Sequence, residues 1–204
     1  MAIFLLFFTY GFFIAHKINL VTADLGRHLR NGEFIFQNPE VLFRNFYSYT
    51  HPDFPVINHH WGSGVVFWNI FKIGGFPGLS LFNLFLSLTT FFLFFWLAKK
   101  SSGVGLATLV SIFFIPLLAE RTEIRPEVFS YFLAGIFFFL LSSQKHLWLL
   151  PLLQIFWVNL HIYFFLGPLL VGIFLISKKS RSLFYIFLLT AAACLVNPFG
   201  LKGA

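Results

Sequence analysis

Long apolar runs separated by short polar breaks constrain this chain more than any other feature. They cover about 2–16, 79–98, 103–119, 128–143, 147–160, 162–176 and 183–196. Charged residues make up only 10% of the 204 residues, against roughly a quarter in a soluble domain. Too few charges remain to solvate a globular surface. The runs therefore predict an all-α, polytopic transmembrane bundle forming one domain over 1–204. Several runs fall short of the roughly 20 residues that a perpendicular span needs. Such helices are tolerated when packed among others or where the bilayer thins. The first run, Met1–Ala15, lacks the basic stretch that opens a signal peptide, and more runs follow it, so it reads as a retained first span. Cys194 lies alone inside a run and reads as a small buried helix residue.

The formal charge is +7. In this setting basic residues punctuate apolar runs, as topology signals do. No basic stripe interleaved with stacking aromatics is present, which excludes a nucleic-acid partner. The 33 Phe residues give bulk suited to membrane lipids and imply no cofactor.

Residues 17–60 break the pattern. They are polar, hold Pro39, Pro52 and Pro55, and carry most of the acids. A loop this long in a tightly connected chain is usually functional or disordered; its aromatics and histidines predict the former. Residues 61–76 are apolar enough to enter lipid but end in Lys72 and the Gly74–Gly78 turn. If they lie in the interface rather than span it, Lys99, Lys100, Lys145, Lys178, Lys179 and Arg181 share one side, the cytoplasm. Asp24, Glu33, Glu40, Asp53, Glu120, Glu123 and Glu127 then share the other. Lys17 runs against this arrangement. The expectation is an outer loop over 17–78 with interfacial helices at about 24–36 and 61–76.

Polar residues far apart in sequence then meet on the outer face. Asp24, Arg27, His28 and Asn31 follow i, i+3, i+4, i+7 spacing and share a helix face, with Leu25 and Leu29 on another. Two readings stand: an ordinary juxtamembrane helix with an acid near its N-terminus, or Asp24 as a general base oriented by its neighbours. His51, Asp53, His59 and His60 fit no zinc spacing; His59 and His60 are candidates for a polar substrate at the interface. Arg121 and Arg125, four residues apart with Glu123 between them, are either a self-cancelling charged loop or a phosphate clamp. Gln154, Asn159 and His161 lie in or beside apolar runs, where polar groups are costly; Asn159 and His161 also fit the caps of a helical hairpin.

Five segments resemble the GT-C superfamily of membrane glycosyltransferases, above all its bacterial members that use lipid-linked sugars. They are Asp24 to Glu33, Phe46 to Thr50, Val56 to Trp61, Arg125 to Phe129 and Trp157 to His161. The resemblance implies a first outer loop with two juxtamembrane helices and an early catalytic acid, which maps to Asp24. It implies transfer of a sugar from a polyprenyl-phosphate donor to an acceptor hydroxyl at the extracytoplasmic face of the membrane. The substrate-contacting candidates are Arg27, His28, His59, His60, Arg121, Glu123, Arg125, Asn159 and His161. Some members carry two acids one residue apart; here Thr22 stands at the earlier position, so a divalent metal is not implied. The family is usually longer, so the resemblance implies an N-terminal fragment. The alternative function is a transporter or flippase for a lipid-linked or polar substrate. Transporters place ionisable groups at mid-membrane in repeated halves, whereas these acids sit at run ends and no repeat is evident. A non-catalytic scaffold explains the spans but not the polar convergence.

Overall fold

The computed structural model describes residues 1–15, 18, 24–45, 47–120 and 123–204. Lys17, Thr22 and Arg121 lie outside the described residues. Those described form helices and turns only, with no strand among them. The helices are α1 (Ala2–Ile14), α2 (Leu25–Gln37), α3 (Trp61–Ala119), α4 (Glu127–Ser143), α5 (Leu149–Leu160), α6 (Leu166–Lys178) and α7 (Arg181–Ala193). Short 3-10 turns stand at Pro39–Phe43, Ile162–Phe165 and Gly200–Gly203.

The α3 segment does not run straight. Gly75 has φ 59° and ψ −155°, and Gly103 has φ 81° and ψ 164°. Both lie where a side chain is strongly disfavoured, and both interrupt the helical ladder. The segment thus has three limbs, 61–74, 76–102 and 104–119. Pro77 sits in the first turn of the second limb, where its missing N–H costs nothing. These breaks fall at the edges expected from the apolar runs. By length and composition α3 is long and apolar enough to cross a membrane, while α1, α4, α5, α7 and the Ile162–Lys178 stretch are apolar but shorter. Phe4, Phe8, Leu81, Phe85, Phe113, Ile176 and Tyr185 all face outward. So much apolar surface fits a membrane-associated chain.

Three apolar clusters hold the helices. Leu6, Tyr10 and Ile14 of α1 pack on Phe91, Phe95, Ala107 and Ile115 of α3. Leu25 and Leu29 of α2 pack on Phe67, Leu79 and Leu86 of α3 and on Val128 and Phe129 of α4. Leu133, Phe137, Leu140 and Leu141 of α4 join Leu150, Trp157, Val171 and Leu183 of α5 to α7. The α4 helix therefore links the α2 docking site to the C-terminal bundle.

Glycines set the closest approaches. A Cβ on Gly32 of α2 would collide with the Gly64 carbonyl of α3. A Cβ on Gly64 would come within 2.8 Å of His28 O, and one on Gly62 within 2.5 Å of Asn159 O. Small residues are what allow helix backbones to meet this closely. Trp61 Nε1 donates to Asn159 Oδ1 at 3.0 Å, and Ser63 Oγ donates to Leu160 O. The first limb of α3 is thereby held between α2 and the end of α5.

The face expected on α2 needs correction. Asp24 and Arg27 are exposed, but His28 and Asn31 are buried with Leu25, Leu29 and Ile35. Gly32 lies within the same arc, so the close contact at Gly64 carries His28 and Asn31 inward with the leucines.

Gly32→Ala should therefore push α2 off α3 and destabilise the protein by roughly 1–3 kcal/mol, the usual cost of overpacking. Gly26→Ala, with nothing within 4 Å of the added Cβ, should be neutral or stabilise by up to about 1 kcal/mol. Thermal unfolding of both variants in detergent checks the contrast.

Candidate functional site

The site forms where α2, the N-terminus of α3, the segment before α4 and the end of α5 converge. Asp24 is the N-cap of α2 but makes no side-chain capping bond. Its Oδ2 instead accepts from Arg27 Nη2 at 3.1 Å, with both side chains about half exposed. A solvated pair of this kind adds at most about 1 kcal/mol to stability. It leaves the carboxylate accessible and orients it across the first turn, near the positive end of the helix dipole.

Arg125 ends the turn before α4. Buried Ile124 anchors that turn, and Val128 N donates back to Arg125 O at 3.2 Å. The guanidinium grips Glu123 through Nε at 2.7 Å and Nη2 at 2.5 Å, both to Oε2. The Glu123 hydrogen bond raises the Arg125 pKa, and the charges of Glu123, Glu127 and Asp24 add to it. Asp24 is the weakest of these contributions, and it lines none of the cavities described below. Arg121, the other half of the expected clamp, lies outside the described residues.

A row of histidines crosses the interior. The His28 and His60 rings meet edge-on at 5.7 Å, and His60 and His161 lie 4.9 Å apart at 30°. Burial lowers the His28 pKa to about 4, helped by Arg27, His60 and Arg125 and opposed by Asp24. Burial also lowers His60 to about 4 and His161 to about 3, with neighbouring histidines adding to the effect. All three are neutral at pH 7. The tautomer of His161 follows from its neighbours. Trp157 Nε1 donates to Ser130 Oγ at 2.8 Å, and Ser130 Oγ lies 2.7 Å from His161 Nδ1. Indole can only donate, so the serine oxygen accepts from it and turns its own proton to Nδ1. Tyr163 N–H also points at Nδ1, at 3.5 Å. Nδ1 is an acceptor, and Nε2 carries the proton.

His59 points elsewhere, stacking on Phe164 at 6.5 Å, so the adjacent pair does diverge. Asn159 is a bracket. Its Oδ1 accepts from Trp61, while its Nδ2 donates to Ile155 O at 2.7 Å and Val196 O at 2.8 Å. Asn159 thus ties α3 to α5 rather than capping, and His161 takes the cap position between α5 and the next turn. Gln154 is fully buried, with Nε2 on Phe164 O at 2.9 Å and Cys194 Sγ at 3.2 Å. It too ties the bundle together. The sequence reading missed Ser130, which the structure makes the hinge of the Trp157–His161 chain. A serine one turn into the apolar run after Pro126 was the available cue. Among the described residues no group of three or more His, Cys, Asp or Glu is placed to hold a metal ion.

Two cavities hold the charged candidates, and only the second is lined by α2. One, of about 150 Å³, is lined by Tyr10, Asn83, Ser87, Glu123, Arg125, Glu127 and Tyr131. It adjoins an apolar crevice of about 460 Å³ between α1, α3 and α4, and the two share Tyr10, Ser87, Leu118, Val128 and Tyr131. The other, of about 200 Å³, lies under the 41–60 segment and is lined by Arg27, Asn31, Arg44, Tyr47, Asn58 and both His59 and His60, among others. A further cavity of about 510 Å³ sits at the Lys100 and Ser143 ends of α3 and α4 and holds no acid–base pair.

The lowered histidine pKa values give the fold a pH dependence of known sign. A folded pKa below the unfolded 6.5 means that the unfolded chain binds more protons between the two values. The stability is full above pH 6.5 and falls as pH drops towards 4. His28 alone accounts for up to about 3 kcal/mol of that fall. His28→Gln should flatten the unfolding midpoint between pH 6.5 and 4, measured by thermal melts across that range.

Comparison with protein-family models, curated proteins and solved structures returns no match to this chain.

Proposed function

We propose that the protein is a multi-pass membrane glycosyltransferase that moves a sugar from a polyprenyl-phosphate donor to an acceptor hydroxyl at the extracytoplasmic face. The observation that carries this reading is the adjacency of two cavities. An apolar crevice adjoins a cavity mouth lined by Arg125, and the turn that holds Arg125 packs through Ile124 on the helix that Asp24 begins. A lipid phosphate asks for this combination, apolar walls for the chain and a guanidinium for the head.

The chemistry follows from the groups present. Asp24 takes the proton of the acceptor hydroxyl as its oxygen attacks the anomeric carbon. The bond from that carbon to the phosphate oxygen breaks, and its electron pair leaves with the polyprenyl phosphate. Phosphate is a weak base, so the leaving group needs positive charge more than a proton. Arg125 supplies it, since two of its five N–H donors hold Glu123 and the rest stay available. Single displacement inverts the anomeric centre. The neutral histidines suit hydrogen bonding to sugar hydroxyls without adding charge near the base. No metal ion is needed for any of these steps.

The topology fits the same reading. Lys100, Ser142 and Ser143 meet around one cavity, at the far ends of α3's second limb and α4. Glu123, Arg125 and Glu127 line another, at the starts of those limbs. With the acidic end outward, the lysines face the cytoplasm.

In membranes holding the full-length protein and a labelled polyprenyl-phosphate sugar, Asp24→Asn should cut transfer about 10²–10⁴-fold, the range of a lost general base. Arg125→Gln should cost roughly 10–100-fold through weaker charge stabilisation. Undiminished transfer in Asp24→Asn removes the base. Vectorial movement of the lipid-linked substrate without transfer would favour the flippase, which the crevice also suits.

A further inference from the structure

We propose that the cavity under the 41–60 segment is the acceptor subsite, and that it takes a polyol carrying a phosphate or carboxylate beside the hydroxyl that receives the sugar. This rests on the transferase reading. The cavity holds about 200 Å³ and contains no carboxylate among its lining residues. Its charged groups are the Arg27 and Arg44 guanidiniums. Arg44 forms no ion pair among the described residues. Arg27 spends one N–H on Asp24 and keeps the rest of its fork.

The neutral groups are donors too. Asn31 Oδ1 is occupied by the Tyr47 hydroxyl at 2.6 Å, and Asn58 Oδ1 by His60 N at 3.0 Å. These bonds fix each amide so that its oxygen is used and its NH₂ has no partner among the described residues. One guanidinium with no ion pair among the described residues, a second shared with Asp24, and two amide NH₂ groups, with no carboxylate in the lining, form an anion receptor. The inner wall differs in kind. His60 Nδ1 is buried with no hydrogen-bond partner among the described residues, and burial keeps both His59 and His60 neutral. Neutral imidazoles offer a donor and an acceptor, which suits hydroxyls rather than charge. A ligand with an oxyanion at one end and hydroxyls at the other matches both walls.

Position assigns the cavity to the acceptor rather than the donor. It shares no lining residue with the Arg125 mouth. Arg27 ties it to the proposed base: it lines this cavity and holds Asp24 at 3.1 Å. An oxyanion bound at Arg27 and Arg44 therefore brings its neighbouring hydroxyl to the carboxylate that must deprotonate it. The same proton then passes to Asp24 as the sugar–phosphate bond breaks.

The test is binding of glycerol 1-phosphate to the full-length protein in phosphatidylcholine nanodiscs, followed by calorimetry, with glycerol as the neutral probe. Wild type should bind the phosphate and not glycerol. Arg44→Gln should weaken binding about tenfold or more, and Arg44→Lys should restore part of it, since a point charge replaces a bidentate fork. Equal affinities in wild type and Arg44→Gln, or no binding by folded wild type, overturn the subsite. Nanodiscs containing phosphatidylglycerol separate two sources of the anion. Competition with glycerol 1-phosphate assigns it to a lipid headgroup, and unchanged binding assigns it to a soluble acceptor; both keep the subsite. Transfer abolished by Asp24→Asn but phosphate binding indifferent to Arg44 leaves the enzyme and overturns the subsite. Phosphate held at Arg44 with no transfer to any acceptor overturns the acceptor role together with the transferase.

Discussion

The contact of α2 with the first limb of α3 at Gly32 and Gly64 sets the position of everything else in the site. No side chain separates the two backbones there. Because they meet so closely, His28 on α2 comes within ring contact of His60 at the start of α3. Because Gly62 packs in turn on the Asn159 carbonyl, His60 meets His161. The first limb of α3 is thereby fixed to α2 and to the end of α5. The fixing uses shape and a few polar brackets, since apolar attraction between helices is weak where the surroundings are equally apolar.

That packing imposes an electrostatic order. Histidines driven inward lose their charge, because burial penalises the protonated form. The charged groups remain at the rim: Asp24 with Arg27, and Arg125 with Glu123. The interior row is neutral and hydrogen-bonded, with Trp157 and Ser130 dictating the tautomer of His161. The Asp24 carboxylate stays half exposed at the rim, paired with Arg27 rather than with the buried, neutral His28.

The helices were legible in the sequence because each is an apolar run with a physical end. Gly75 and Gly103 stand where the runs were divided, and Pro126 stands before α4. Legibility dropped wherever a residue's role depends on a partner distant in sequence. The spacing of Asp24, Arg27, His28 and Asn31 gave a polar face, but helical periodicity cannot say where a buried arc stops. Gly32 decides that, and its meaning depends on Gly64. Likewise Asn159 resembled a substrate contact or a cap until Trp61, nearly a hundred positions earlier, was seen to occupy its oxygen. Ser130 looked like an incidental polar residue because nothing local reveals that Trp157 and His161 converge on it. Arg44 carries no local signal for the same reason, since a loop cavity is defined by what folds over it.

The arginines of the site differ in their surroundings: Arg27 of α2 holds Asp24 and lines the Arg44 cavity, while Arg125 lines the mouth of the other. Each cavity brings its own arginine, and the two differ in how they are compensated. Arg125 is held by Glu123, which offsets its charge before any ligand arrives. Arg44 faces no carboxylate in its cavity, so it favours an anion already present in the ground state. A compensated cation suits charge that appears during reaction, and an uncompensated one suits charge that arrives with the ligand. On the proposed transferase reading, that contrast gives the Arg125 side to the leaving group and the Arg44 side to the incoming acceptor.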